Sequence, residues 1–186
     1  MKTAFIDFHD SFSYNVIQEL KQLGFEVQVF EYPDYQKAFE FELVVLGPGP
    51  GHPDEYQDIL PFIQKRMKEA GKLFGVCLGH QLIWRSFGFE VIKSKLPLHG
   101  QKIQINLNSH WSQILNSQKM IEVQRYNSLV VDIKESQILP GIAAQFDQEE
   151  LQMSHGKNWL SYQFHPESVG TSYRSSFFSP LKKFPL

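Results

Sequence analysis

Along the first half of the chain, short apolar runs alternate with stretches of helical periodicity. Thr3 to Phe8 is a brief apolar run of strand type. Tyr14 to Leu23 carries Val16, Ile17 and Leu20 at helical spacing, and Gly24 supplies a stop. Phe25 to Phe30 alternates apolar and polar residues, which predicts a strand. Phe41 to Leu46 is continuously apolar, the pattern of a strand buried on both faces. Gly47-Pro48-Gly49-Pro50-Gly51 demands irregular backbone. Glu55 to Ala70 places Ile59, Phe62, Ile63 and Met67 on one side of a predicted helix that Gly71 ends. Leu73 to Val76 is again a buried strand, and Leu78 to Phe87 the helix after it. Alternating strand and helix predict an open α/β sheet with parallel strands.

The second half has a different rhythm. Gln101 to Leu107 alternates polar and apolar positions, as a half-exposed antiparallel strand does. Ile121 to Tyr126, Gly141 to Phe146, Leu151 to Ser154 and Leu160 to Phe164 are further strand candidates. The polar stretch from Asn108 to Lys119 predicts a loop or a short helical turn, and no helix is expected between Trp111 and Leu160. The expected fold class is α/β: an open, mostly parallel sheet flanked by helices, with an antiparallel, strand-rich second half. No repeat or linker divides the chain, so residues 1–186 are expected to form a single domain.

Composition narrows the function. The chain has 186 residues, 42% hydrophobic and 20% charged, with a net charge of -2, which argues against a nucleic-acid surface. The apolar stretch near the start is too short for a signal peptide or a membrane span, so the expectation is a cytoplasmic protein with no membrane partner. A single cysteine excludes an intrachain disulfide, fits a reducing compartment, and leaves no multi-cysteine metal site. Histidine spacings support no metal site either.

That one cysteine, Cys77, lies in Gly75-Val76-Cys77-Leu78-Gly79-His80-Gln81, between a buried strand and a helix. At such a turn the thiol sits near a helix N-terminus, where the dipole and free N–H groups favour negative charge. Glycines two residues before and two after permit the tight turn of a nucleophile elbow. An isolated cysteine is otherwise most often a buried structural residue. A second segment, Gln163-Phe164-His165-Pro166-Glu167-Ser168, offers His165 as a proton carrier and Glu167 to orient its ring. An N–H of Gly49 or Gly51, with that of Leu78, forms a candidate oxyanion hole. His9, His52, His99, His110 and His155 read as surface or loop residues, and the His80 ring is expected to face away from the thiol.

These motifs resemble the class I glutamine amidotransferases, and within them the glutaminase subunits of anthranilate synthase and aminodeoxychorismate (para-aminobenzoate) synthase. Five segments agree in order. Asp7-Phe8-His9-Asp10-Ser11-Phe12 is similar to an Asp-Asn-Tyr-Asp-Ser-Phe segment, and Gly47 to Gly51 to a Pro-Gly-Pro-Gly turn. Gly75 to Gln81 matches the nucleophile motif, Arg125-Tyr126-Asn127-Ser128-Leu129 an Arg-Tyr-His-Ser-Leu segment, and Gln163 to Ser168 the last motif. The resemblance implies a catalytic triad of Cys77, His165 and Glu167, with a γ-glutamyl thioester on Cys77. It places Gly49, Gly51 and Leu78 around the oxyanion and the bound L-glutamine. It has Gln81 contact that glutamine, while Ser128 and Leu129 bind its α-amino and carboxylate end through backbone groups. It implies no cofactor in this chain and a separate, magnesium-dependent, chorismate-using synthase partner that receives the ammonia. The partner-facing rim is expected near Asp10 to Phe12, Pro53 and Asn127. Asn127 stands where the subfamily has His, beside the substrate loop and away from the triad. The competing functions are hydrolysis of other γ-glutamyl compounds and a non-catalytic interaction module.

Overall fold

The fold is that of a computed structural model, which describes residues 1–117 and 119–186. The first half runs β1 (Lys2–Asp7), α1 (Ser13–Gln22), β2 (Glu26–Glu31), α2 (Tyr35–Ala38), β3 (Leu43–Leu46), α3 (Leu60–Lys68), β4 (Lys72–Val76) and α4 (Leu78–Ser86). The second runs β5 (Val91–Lys93), β6 (Gln101–Asn106), α5 (Ser109–Leu115), β7 (Met120–Arg125), β8 (Leu129–Val131), β9 (Ala143–Asp147), β10 (Glu150–His155), β11 (Trp159–Tyr162) and α6 (Arg174–Phe178).

Seven strands form one sheet in the order β2-β1-β3-β4-β11-β10-β9. The first five are mutually parallel, and β10 and β9 continue the sheet antiparallel. β3 shows why the run Leu43 to Leu46 has no polar residue. Leu43 and Val45 enter the core under α1, α5 and α6, while Val44 and Leu46 enter the core under α2, α3 and α4. All four are fully buried, as a central parallel strand requires. Two antiparallel ribbons, β6–β7 and β5–β8, lie outside this sheet.

The decisive pairing for the site is β11 with β4. Tyr162 sits opposite Val76, and the Cys77 N–H donates to the Tyr162 carbonyl at 2.8 Å. The parallel alignment delivers the segment after Tyr162 to the same sheet edge as Cys77, the C-terminal edge where α/β sites form.

Several expectations need correction. The stretch from Asn108 forms α5, nearly two turns of helix, because the Asn108 side chain accepts from the Trp111 N–H at 3.0 Å and caps it. Trp111 and Leu115, one turn apart, are fully buried. Gln118, in the same predicted loop, lies outside the described residues. The helix expected over 55–70 is broken: a 3-10 segment, Pro53–Ile59, precedes α3, and Tyr56 inside it is non-helical at φ −123°. Pro61 lacks an N–H to continue the ladder from that segment. The ribbon β5–β8 escaped the sequence reading because three-residue strands carry too little periodicity.

Candidate active site

Cys77 occupies the turn between β4 and α4 at φ 53° and ψ −102°, a backbone conformation that L-residues rarely adopt. The flanking glycines make that turn possible. A β-carbon on Gly75 would lie 2.6 Å from the Gly79 carbonyl oxygen, and one on Gly79 would lie 2.7 Å from Leu46 Cβ. The thiol is partly accessible. The N–H groups of Leu78 and Gly79, in the first turn of α4, precede the first helical bond, Gln81 N–H to Cys77 C=O. They are therefore free to meet a developing negative charge beside the thiol.

Gly49 packs directly onto this elbow. A β-carbon there would lie 2.5 Å from both Leu78 Cδ2 and Phe8 Cβ, so the turn approaches as closely as only glycine permits. Gly51 has φ +79°, a left-handed conformation.

His165 and Glu167 form a buried pair, with Nδ1 2.6 Å from Oε1. The carboxylate oxygen at Nδ1 sets the tautomer there. Burial alone would lower the His165 pKa, but the charge of Glu167 outweighs it and holds the imidazole well above its ordinary value. The ring is walled by Phe12, with centroids 5.0 Å apart, and by Tyr126, at 5.1 Å edge-on. Phe12 reaches this position because Asp7 accepts from the His9 N–H and the Ser13 hydroxyl, and Asp10 accepts from the Phe12 N–H. Behind His165, the Gln124 carbonyl accepts from its N–H at 3.0 Å, and the Thr171 hydroxyl donates to its carbonyl at 2.7 Å.

Around the predicted substrate loop, the Leu129 carbonyl accepts from Gln81 Nε2 at 3.0 Å and from Asn127 Nδ2 at 2.9 Å. Gln81 Nε2 also donates to Gln163 Oε1 at 3.1 Å, and Gln163 Nε2 points at Cys77 Sγ from 3.9 Å. Ser128 is exposed, and its carbonyl accepts from the Ser94 N–H. Beneath this loop lies a buried ion pair absent from the sequence reading. Arg125 Nη2 is 2.6 Å from Glu150 Oε2, and Arg125 Nε donates to Asn127 Oδ1 at 3.0 Å. The pairing of Arg125 with a residue three strands later has no local signal; only the tertiary fold brings them together.

Two expectations about surfaces change. Asn127 and Pro53 are buried, and within Asp10 to Phe12 only Ser11 is exposed. His155 is not a surface residue: it is buried in β10, with its Nε2 2.7 Å from that of exposed His110. His80 is fully buried, with Nδ1 2.9 Å from Ser161 Oγ. Among the described residues no group of three or more metal-ligating side chains converges, and no helix is long and apolar enough to cross a membrane.

An α/β sheet that carries a strained cysteine turn at its C-terminal edge, with a buried His–Glu pair in the same chain, is an enzyme-like arrangement. The glutamine amidotransferase class-I family model matches residues 4–182, and the chain belongs to that family. It is 35% identical over 180 residues to anthranilate synthase component 2 of Helicobacter pylori, covering 92% of this chain and 91% of that one. It is 34% identical over 181 residues to the component 2 of Saccharolobus solfataricus, covering 91% and 92%. A pyocyanine-specific component 2 of Pseudomonas aeruginosa is 33% identical over 186 residues, covering 93% and 88%. A crystal structure from Thermoplasma acidophilum shares the fold with a TM-score of 0.81 at 21% identity, covering 97% of this chain and 92% of that one. A glutamine amidotransferase structure from Thermotoga maritima does so at 0.72 and 16%, covering 90% and 76%.

Proposed function

We propose that this chain is a single-domain glutaminase that hydrolyses L-glutamine through a Cys77–His165–Glu167 triad and passes the ammonia to a chorismate-using synthase. The observation that supports this reading is the strained Cys77 elbow together with a buried histidine hydrogen-bonded to Glu167.

Cys77 Sγ attacks the carboxamide carbon of glutamine. The oxygen gains negative charge and is met by the N–H of Leu78 and those of the Gly49–Gly51 turn. His165 gives its proton to the departing nitrogen, the C–N bond breaks, and ammonia leaves behind a γ-glutamyl thioester. His165, now neutral, takes a proton from water as the water attacks the thioester, and glutamate departs as the cysteine sulfur is regenerated. Glu167 stabilises the imidazolium and fixes the ring. Phe12 and Tyr126 keep bulk water from the ring faces, which strengthens the pair electrostatically. Gln81, Ser128 and Leu129 border the glutamine. The Leu129 carbonyl already has two donors, so the substrate's head group meets the N–H and side-chain groups of that segment. A free thiol nucleophile suits a reducing, cytoplasmic setting.

The name component 2, carried by the relatives, supports pairing with a chorismate-using, magnesium-dependent subunit that makes anthranilate or 4-amino-4-deoxychorismate. The test is glutamate release from glutamine by the chain alone and with each such partner plus chorismate. The expected result is a large rise with one partner, lost in Cys77→Ser while added ammonium still supports the aromatic product. Undiminished glutamate release by Cys77→Ser would refute the nucleophile. Release unaffected by every chorismate-using partner would favour a free-standing γ-glutamyl hydrolase.

A further inference from the structure

Two segments flank the first turn of α4: the Gly47–Gly51 turn, which packs on Leu78, and the β5–β8 ribbon, whose Leu129 carbonyl bonds to Gln81. Among the described residues no strand pairing joins them. The next residue after the turn, His52, spans the gap. Its Nε2 lies 2.9 Å from the Val91 carbonyl oxygen at the start of β5.

The tautomer is set locally. The Asp54 N–H donates to His52 Nδ1 at 3.2 Å, so Nδ1 carries the lone pair and Nε2 the hydrogen that meets Val91. The His52 N–H in turn donates to Glu55 Oε1 at 2.6 Å, and that carboxylate packs against Gly51, where a β-carbon would lie 2.5 Å away. One ring therefore caps the 3-10 segment at one nitrogen and reaches the ribbon with the other. A serine or aspartate caps as well as the near nitrogen does but cannot reach Val91. The far nitrogen is surplus to capping.

The bond closes a ring of contacts around the nucleophile. Within the ribbon, Val91 sits opposite Val131 and Lys93 opposite Leu129. The Leu129 carbonyl is held by Gln81, Gln81 by Gln163, and Gln163 faces Cys77 Sγ. The Gly49 contact with Leu78 returns to the elbow from the other side.

We infer that His52 is a positioning residue for glutamine turnover: its Nε2–H bond to the Val91 carbonyl holds the Gly49–Gly51 turn and the Ser128–Leu129 segment at a fixed separation around Cys77. This role rests on the glutaminase reading. It predicts that the residue matters to groups that must span both walls, and not to the thiol by itself.

The test compares wild type, His52→Ser and His52→Gln, each for kcat and KM with glutamine and for inactivation by two electrophiles. One electrophile is a glutamine-mimicking chloroketone, which must fit the walls; the other is iodoacetamide, which needs only the thiol. His52→Ser keeps the cap and loses the reach. It is expected to lower kcat/KM and the chloroketone rate by roughly 3- to 10-fold, the range of one lost hydrogen bond, with the iodoacetamide rate unchanged. His52→Gln, with an acceptor and a donor on one long amide, is expected to recover most of the loss. Equal chloroketone rates in wild type and His52→Ser would overturn this role alone, as would a parallel fall with iodoacetamide. A wild-type chain that iodoacetamide alkylates and the chloroketone does not would overturn the glutaminase reading and this role with it.

Discussion

Gly79 lies against Leu46 so closely that a β-carbon on the glycine would stand 2.7 Å from Leu46 Cβ and 2.8 Å from its carbonyl carbon. The first turn of α4 is pressed onto the end of β3, and the closeness sets the angle at which Cys77 is presented. Neither neighbour is a flexible side-chain end, so an added methyl must move backbone. Gly79→Ala is therefore expected to destabilise the chain by about 2 kcal/mol or more and to slow alkylation of Cys77 by the chloroketone. Urea unfolding and labelling rates measure both. A variant of wild-type stability and reactivity would show that the elbow tolerates displacement.

The His165–Glu167 pair makes a pH prediction. Burial lowers the His165 pKa, and the Glu167 charge with Cys77 more than reverses it. In Glu167→Gln the carboxylate is gone and burial is less opposed, so the pKa falls. The pH above which His165 loses its proton moves downward, and turnover is expected to drop on the order of 10²- to 10⁴-fold. The linked stability moves in the same sense. In wild type the pair's contribution is full below the unfolded pKa near 6.5 and fades as pH rises through the elevated folded value; the variant loses it at lower pH. A pH–rate profile with its basic limb unmoved would contradict the assignment of Glu167.

His80 acts oppositely. It is fully buried with Nε2 unpartnered, and burial lowers its pKa from 6.5 to about 3. Below pH 6.5 the unfolded chain takes up a proton that the folded chain refuses, so folding weakens as pH falls toward 3. From about pH 7 to about pH 5 this group alone is expected to cost about 2 kcal/mol. His80→Asn cannot titrate, and its urea-derived stability is expected to fall less over the same interval. Equal acid sensitivity in both proteins would place the lability elsewhere.

Local pattern was enough for much of the α/β framework. The uninterrupted run Leu43 to Leu46 marks a strand covered on both faces, and Val16, Ile17 and Leu20 mark the buried stripe of α1. Gly75 and Gly79 around a lone cysteine mark the elbow, since close backbone approach leaves its trace in the residues that permit it. The reading failed where a short element depends on distant partners. α5 has only Trp111 and Leu115 to show an apolar face, and a polar 7-residue helix resembles a loop until the core that receives those two side chains is known. His155 looked exposed because a histidine among polar neighbours carries no sign of its own burial.

The sequence by itself determined which residues could do chemistry: one thiol at a tight turn, and a histidine and a glutamate two residues apart. Those are consequences of side-chain identity and local backbone, which the chain carries wherever it folds. Only the tertiary structure decided which edge of the sheet carries them. β11 adds to β4 in parallel, Tyr162 beside Val76, and that register brings the segment leading to His165 to the sheet edge that carries Cys77. It also decided that Arg125 is neutralised by Glu150 and that His52 reaches Val91. Strand pairing and buried charge pairs join residues far apart in the chain, and their energy depends on burial that no local window of sequence contains.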